Sequence, residues 1–127
     1  MRPTSLEQLL ASNGVPFAIV ANVVTGETYR VGDPTGFGFD DLVNSLFADF
    51  DCVLATYRSV QGQLLPRMWS QGDVECVICR PTSDVLIGLF CKTERSPLEH
   101  FRWAKDLDAE LSAIWASGVE PESGSDC

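Results

Sequence analysis

Val74-Glu75-Cys76-Val77-Ile78-Cys79-Arg80, then Pro81-Thr82-Ser83-Asp84, then Val85-Leu86-Ile87-Gly88-Leu89-Phe90-Cys91 reads as a strand, a turn and a second strand. Two apolar runs bounded by turn-forming residues carry that reading. The second run is apolar almost throughout, as expected of a strand covered on both faces or placed centrally in its sheet. Just upstream, Gln63 to Ser70 reads as a further strand, turned by Gln71-Gly72-Asp73. It contains Pro66, which has no amide to donate, so it belongs at a sheet edge. Just downstream, Ser96-Pro97-Leu98-Glu99 fits a capping box with proline at the first helical position. Leu98, Phe101, Ala104, Leu107, Leu111 and Ile114 then form one apolar stripe, with Arg102 and Asp106 spaced as i, i+4 partners on the solvent side. Ser117-Gly118 ends this helix.

Toward the N-terminus, Leu6, Leu9 and Leu10 have the spacing of a short helix, stopped by Asn13-Gly14. Phe17 to Val24 is an apolar, β-branched run and reads as the first strand. Thr25-Gly26 is a turn, and Glu27 to Val31 alternates, completing a hairpin. The segment from Gly32 to Gly38 is loop material; its Gly36-x-Gly38 lacks the third glycine and the Gly-Lys-Ser/Thr of a phosphate loop. Asp40 and Asp41 then open a helix expected from about Asp41 to Ser59. Acidic residues favour a helix's first turn, where the dipole and free amides are positive. Leu42, Val43, Leu46, Phe47, Phe50, Val53, Leu54 and Tyr57 recur with helical period, and Asn44, Asp49 and Asp51 lie opposite. So wide a stripe suits core packing or a surface shared with a second subunit. The resulting order, α-β-β-α-β-β-β-α, is that of an α+β domain with a mostly antiparallel five-stranded sheet. The domain is expected over 1–117, with an acidic, disordered tail over 118–127.

Composition narrows the function. The 127 residues suit one domain able to bury a core. No apolar stretch approaches the ~20 residues that a membrane helix needs, and no signal peptide is visible, so a cytoplasmic location is expected. The net charge of -9 argues against nucleic acid and anionic membrane surfaces, whose binding relies on Lys and Arg. It serves solubility or a basic partner surface.

Little catalytic chemistry is legible. Of five cysteines, Cys76 and Cys79 have C-x-x-C spacing, but on a strand residues i and i+3 face opposite ways. No second C-x-x-C is present, so no metal site or cofactor is expected. The single histidine, His100, has no Ser or Cys motif beside it and is expected to be a partly exposed helix residue. Arg58 and Arg67 flank the helix-to-strand turn. Trp103 lies off its helix's stripe and is expected to be partly exposed. No catalytic residues are assigned, and a non-enzyme is expected.

The element order, together with Ser70-Gln71-Gly72-Asp73, the strands of 74–78 and 83–90, and Lys92-Thr93-Glu94-Arg95-Ser96 leading into the final helix, resembles the roadblock/LC7 family. Within that family it is most similar to bacterial MglB-type regulators of small Ras-like GTPases. The likeness covers roughly Leu6 to Trp115. Its first helix is shorter than usual for the family, its Gly32–Gly38 loop is richer in glycine, and the chain is unusually acidic. The resemblance implies a profilin-like sheet with the first and fifth strands central and the second and third at the edges. It implies a homodimer joined through the third strand and middle helix, for which Phe47, Phe50, Leu64, Leu65, Met68 and Trp69 are the candidates. It also implies a small Ras-like GTPase as partner, met by Asn44, Asp49, Asp51 and Arg58. The competing expectation is a dimeric adaptor, or secretion-chaperone-like protein, that binds a peptide or protein.

Overall fold

The computed structural model describes residues 6–116 apart from 34, 37, 62–66 and 93–95. Its elements are α1 (Leu6–Asn13), β1 (Phe17–Asn22), β2 (Thr28–Gly32), α2 (Asp40–Phe47), α3 (Phe50–Val60), β3 (Arg67–Gln71), β4 (Val74–Thr82), β5 (Val85–Lys92) and α4 (Pro97–Ala116). The strands form one sheet in the order β2-β1-β5-β4-β3, antiparallel at every step. The apolar runs occupy its interior and the mixed strands its edges, as the sequence suggests. Pro66 lies outside the described residues.

Helices cover both faces, which explains why β1 and β5 are apolar on alternate and intervening positions alike. On one face, Leu6, Leu9 and Leu10 of α1 and Ala104, Leu107, Leu111 and Ile114 of α4 close over Ala18, Val20, Val77, Ile87 and Leu89. On the other, Leu42, Leu46 and Phe47 of α2 and Val53 and Val60 of α3 close over Ile19, Cys76, Ile78, Leu86 and Phe90. The rings of Phe17, Phe39, Phe47 and Phe90 meet at centroid separations of 5.5–6.5 Å, a range at which aromatic pairs attract beyond simple burial.

Two elements depart from the sequence reading. The single helix expected over Asp41 to Ser59 is two, broken at Ala48-Asp49. Asp49 is extended (φ -150°), and its carboxylate accepts the Cys52 amide at 2.9 Å, making it the N-cap of α3. Thr56 holds the joint closed: its hydroxyl is within hydrogen-bonding reach of the carbonyls of Leu46 (3.1 Å) and Cys52 (2.9 Å). The α4 stripe also begins differently. Leu98 and Phe101 are 59% and 44% exposed, while His100 is buried at 3%. At about 100° per residue, His100 falls mid-stripe with Ala104, Leu107, Leu111 and Ile114, and Leu98 falls on nearly the opposite side. Residues 63–66 of the expected third strand lie outside the described residues, and the strand is present from Arg67, where description resumes.

The capping box forms as read. The Ser96 hydroxyl accepts the Glu99 amide at 3.3 Å, and the Glu99 carboxylate accepts the Ser96 amide at 3.2 Å. No described helix is long and apolar enough to cross a membrane.

Candidate functional site

β3 is the sheet's outer strand beside α2 and has one strand neighbour, β4, among the described residues. Its other backbone edge is thus a template for further pairing. Met68 and Trp69 are both half-buried, packed against the α4-side and the α2-side core respectively. The Arg67 guanidinium lies 5.7 Å from the centre of the Trp69 ring. α2 is tied to the same edge by a hydrogen bond from the Gln71 amide to Asp41, 3.3 Å. Trp69, Gln71 and α2 thus lie together on one side of this edge, with Met68 on the other.

The other residues expected at an interface are dispersed. Phe47 is a core residue, 6% exposed, with its ring edge-on to Phe90 and pressed against Gly88. Phe50 is 40% exposed, but its ring lies over Gly26 in the β1–β2 turn, which joins the strands farthest from β3. Leu64 and Leu65 lie outside the described residues.

Asn44, Asp49, Asp51 and Arg58 are all exposed. Asn44 and Asp49 flank the α2–α3 joint, where the Cys52 thiol points to the Asn44 carbonyl at 4.0 Å. Asp51 and Arg58 are seven residues apart on α3 and so share one helical face. Asp49 differs from its neighbours in being engaged: the Cys52 amide stabilises its charged form and draws its carboxyl below the ordinary value. Tyr57 anchors α3 to the β4–β5 turn by donating to the Ser83 carbonyl at 3.1 Å, with Arg80 over its ring at 5.5 Å.

The thiols of Cys76 and Cys79 do diverge. Cys76 sits in the core beneath α2 and Cys79 in the core beneath α4. Burial pushes both thiols well above their ordinary range, which keeps them protonated and unreactive. No described cysteine is in a disulfide. A cleft of about 230 Å³ between α1 and β2 is lined by Leu10, Val15, Pro16 and Val31, with Glu7 among its walls. It is smaller than the ~300–1,000 Å³ usual for small-molecule sites.

The sequence reading missed one cluster. Glu75, Cys91 and His100 are all buried, and their donor atoms lie within 4.8 Å of one another. His100 Nε2 contacts the Glu75 carboxylate directly, and its ring meets that of Trp103 at a tilt of 31°, with centroids 5.1 Å apart. The expectation of a partly exposed histidine is therefore corrected: His100 faces inward because it shares the α4 stripe. Two signals were available, a carboxylate at an inward position of β4 and a histidine four residues before Ala104.

No family model matches this sequence, and no curated protein sequence matches it. Solved structures do. Myxococcus xanthus MglB superposes with a TM-score of 0.58 at 13% identity, over 87% of this chain and 91% of that one. The gliding protein MglB from Thermus thermophilus gives 0.56 at 13% identity, over 88% and 86%. An MglB with tetrameric arrangement gives 0.55 at 13% identity, over 88% and 85%. The chain has the MglB fold. At this identity the likeness fixes the path of the backbone, and the side chains that line the MglB-like edge and helices here are this chain's own.

Proposed function

We propose that this chain is a homodimeric regulator or scaffold of a small Ras-like GTPase, acting in the cytoplasm without catalytic residues of its own. The observation that carries this reading is the MglB fold, which spans at least 85% of each of the three MglB chains. Pairing of β3 with its copy would continue the sheet across a two-fold axis and remove the open edge. Met68 and Trp69 would lie at the seam, with Leu64 and Leu65 assigned there from sequence. Phe50 is better placed for a contact made by the β1–β2 turn.

In the dimer, the two α2–α3 pairs lie on one side of the joined sheet and offer Asn44, Asp49, Asp51 and Arg58 to the GTPase. A specific contact needs on the order of 800 Å² per partner, more readily supplied by two helix pairs than by one. The acidic residues complement a basic surface. The protein would act by binding one nucleotide state more tightly, shifting the GTPase by that difference in affinity.

The test is calorimetry of the protein with the same organism's Ras-like GTPase, loaded with GDP or with a non-hydrolysable GTP analogue. Tighter binding of one state is the expected result. Equal affinities would leave a scaffold, and no binding to any such GTPase would overturn the proposal in favour of a peptide adaptor.

A further inference from the structure

We propose that Glu75, Cys91 and His100 form a binding site for a zinc-class divalent metal ion, which fastens the first turns of α4 to the sheet. This goes beyond the regulatory reading and does not depend on it. Ser70, Glu75 and Cys91 form one row across three strands: Ser70 is the register partner of Glu75, and Glu75 that of Cys91. Register partners project to the same face with neighbouring Cβ atoms. Here that face is the α4 side, because Glu75 alternates with Val77 and Cys79, and Cys91 with Leu89 and Ile87. His100 descends onto this row from α4.

A carboxylate, a thiol and an imidazole are the three donor types that zinc takes from proteins. The mixed sulfur, nitrogen and oxygen set suits zinc or cobalt better than magnesium or calcium, which take oxygen. Around a tetrahedral ion with donor distances of about 2.0–2.3 Å, ligand atoms lie roughly 3.3–3.8 Å apart. The three donor atoms here lie within 4.8 Å of one another, with His100 Nε2 in direct contact with Glu75 Oε1, so binding an ion requires these two side chains to part and admit it between them. The carboxylate is also oriented as a ligand should be. Its Oε2 accepts the Ser70 hydroxyl at 3.0 Å, leaving Oε1 toward His100. Such outer hydrogen bonds aim ligands and strengthen metal binding.

Burial supplies the energetic motive. A carboxylate with one buried oxygen, here Oε1, gains from positive charge placed beside it. An imidazolium supplies one charge to the carboxylate alone, whereas a divalent ion engages all three groups. Binding would release the Cys91 thiol proton, and any second proton on His100, to solvent. Three protein donors leave one tetrahedral position for water.

The experiment uses the full chain, stripped with a chelator and titrated with cobalt(II), then zinc. One equivalent of cobalt should bind, giving a thiolate-to-cobalt charge-transfer band that zinc abolishes. Zinc should also raise Tm by mass action. Cys91→Ser should remove the band and Cys79→Ala should keep it. Ser70→Ala, which leaves all three ligands in place, should weaken zinc roughly 10–100-fold. X-ray absorption of the zinc-loaded wild type should show one sulfur and one imidazole around the ion, a readout that does not depend on any variant folding. Absence of saturable one-to-one binding, a band that survives Cys91→Ser, or two sulfurs around the zinc would overturn the proposal.

Discussion

A methyl group at Gly88 would sit 2.5 Å from Cε2 of Phe47 and 3.0 Å from Sγ of Cys76, both core atoms. β5 therefore carries glycine at its centre because the Phe47 ring occupies the space of a side chain. Gly88→Ala should destabilise the fold by about 1–3 kcal/mol, the usual penalty of overpacking, measured by urea unfolding. In the Phe47→Leu background the same change should be milder, since the clashing ring is gone. Two additive effects would show that Phe47 is not the obstacle. Asp49 offers a second test. Its folded-state carboxyl titrates below its ordinary value because the Cys52 amide holds the anion. Its stabilisation is therefore full above the unfolded value of about 3.9 and is lost as pH falls through the lower folded value. Asp49→Ala should lower Tm by a few degrees at pH 7, and the gap to wild type should close as the pH drops from about 4. A gap independent of acidity would mean that the side chain does not cap α3 through its charge.

The helices differ in how openly their boundaries are written. α4 begins with reciprocal bonds between Ser96 and Glu99. Ser96→Ala should cost about 0.5–2 kcal/mol, seen as earlier thermal melting. Glu99→Gln should cost less, because glutamine also completes the box; equal losses would mean that the carboxylate's charge, not its reach, matters. That boundary was legible because the motif is local, as were the sheet's edge and centre positions, since apolar continuity reports burial directly. The break between α2 and α3 was hidden because the apolar period runs through it from Phe47 to Phe50. Its one local sign was Asp49 followed by Asp51, an N-cap with an acidic first turn. The row of Ser70, Glu75 and Cys91 was beyond local reading, because strand register makes neighbours of Glu75 and Cys91, 16 positions apart. His100 was misplaced for a simpler reason. Leu98 and Phe101 are the more hydrophobic residues, and anchoring the stripe on them rotates α4 by about 100° or more.

For the whole molecule, the 18 acidic against 9 basic side chains bear on both the proposed dimer and the proposed GTPase contact. Two chains of charge -9 repel, so dimerisation through β3 must rest on backbone pairing and on apolar groups such as Met68 and Trp69. Light scattering at micromolar concentration should give twice the chain mass, and Met68→Asp should shift it toward one chain. A wild-type monomer throughout would remove the dimer. The GTPase contact should behave oppositely, because there the charge attracts. Long-range attraction between exposed charges acts mainly on association and is screened over about 8 Å at physiological salt. Stopped-flow binding should therefore show an association rate that falls steeply as salt rises, with the dissociation rate nearly constant. Asp51→Asn should lower the association rate and flatten its salt dependence, because the Asp51 side chain is exposed on the face of α3 and does not cap the helix. Asp49→Asn should do so less cleanly, since it also perturbs the α3 cap. An association rate indifferent to salt would detach the charge from partner choice and leave it serving solubility alone. In that case the α2–α3 face would have to recognise its partner by shape and hydrogen bonding, and Asn44 and Arg58 would become the side chains whose loss speeds dissociation.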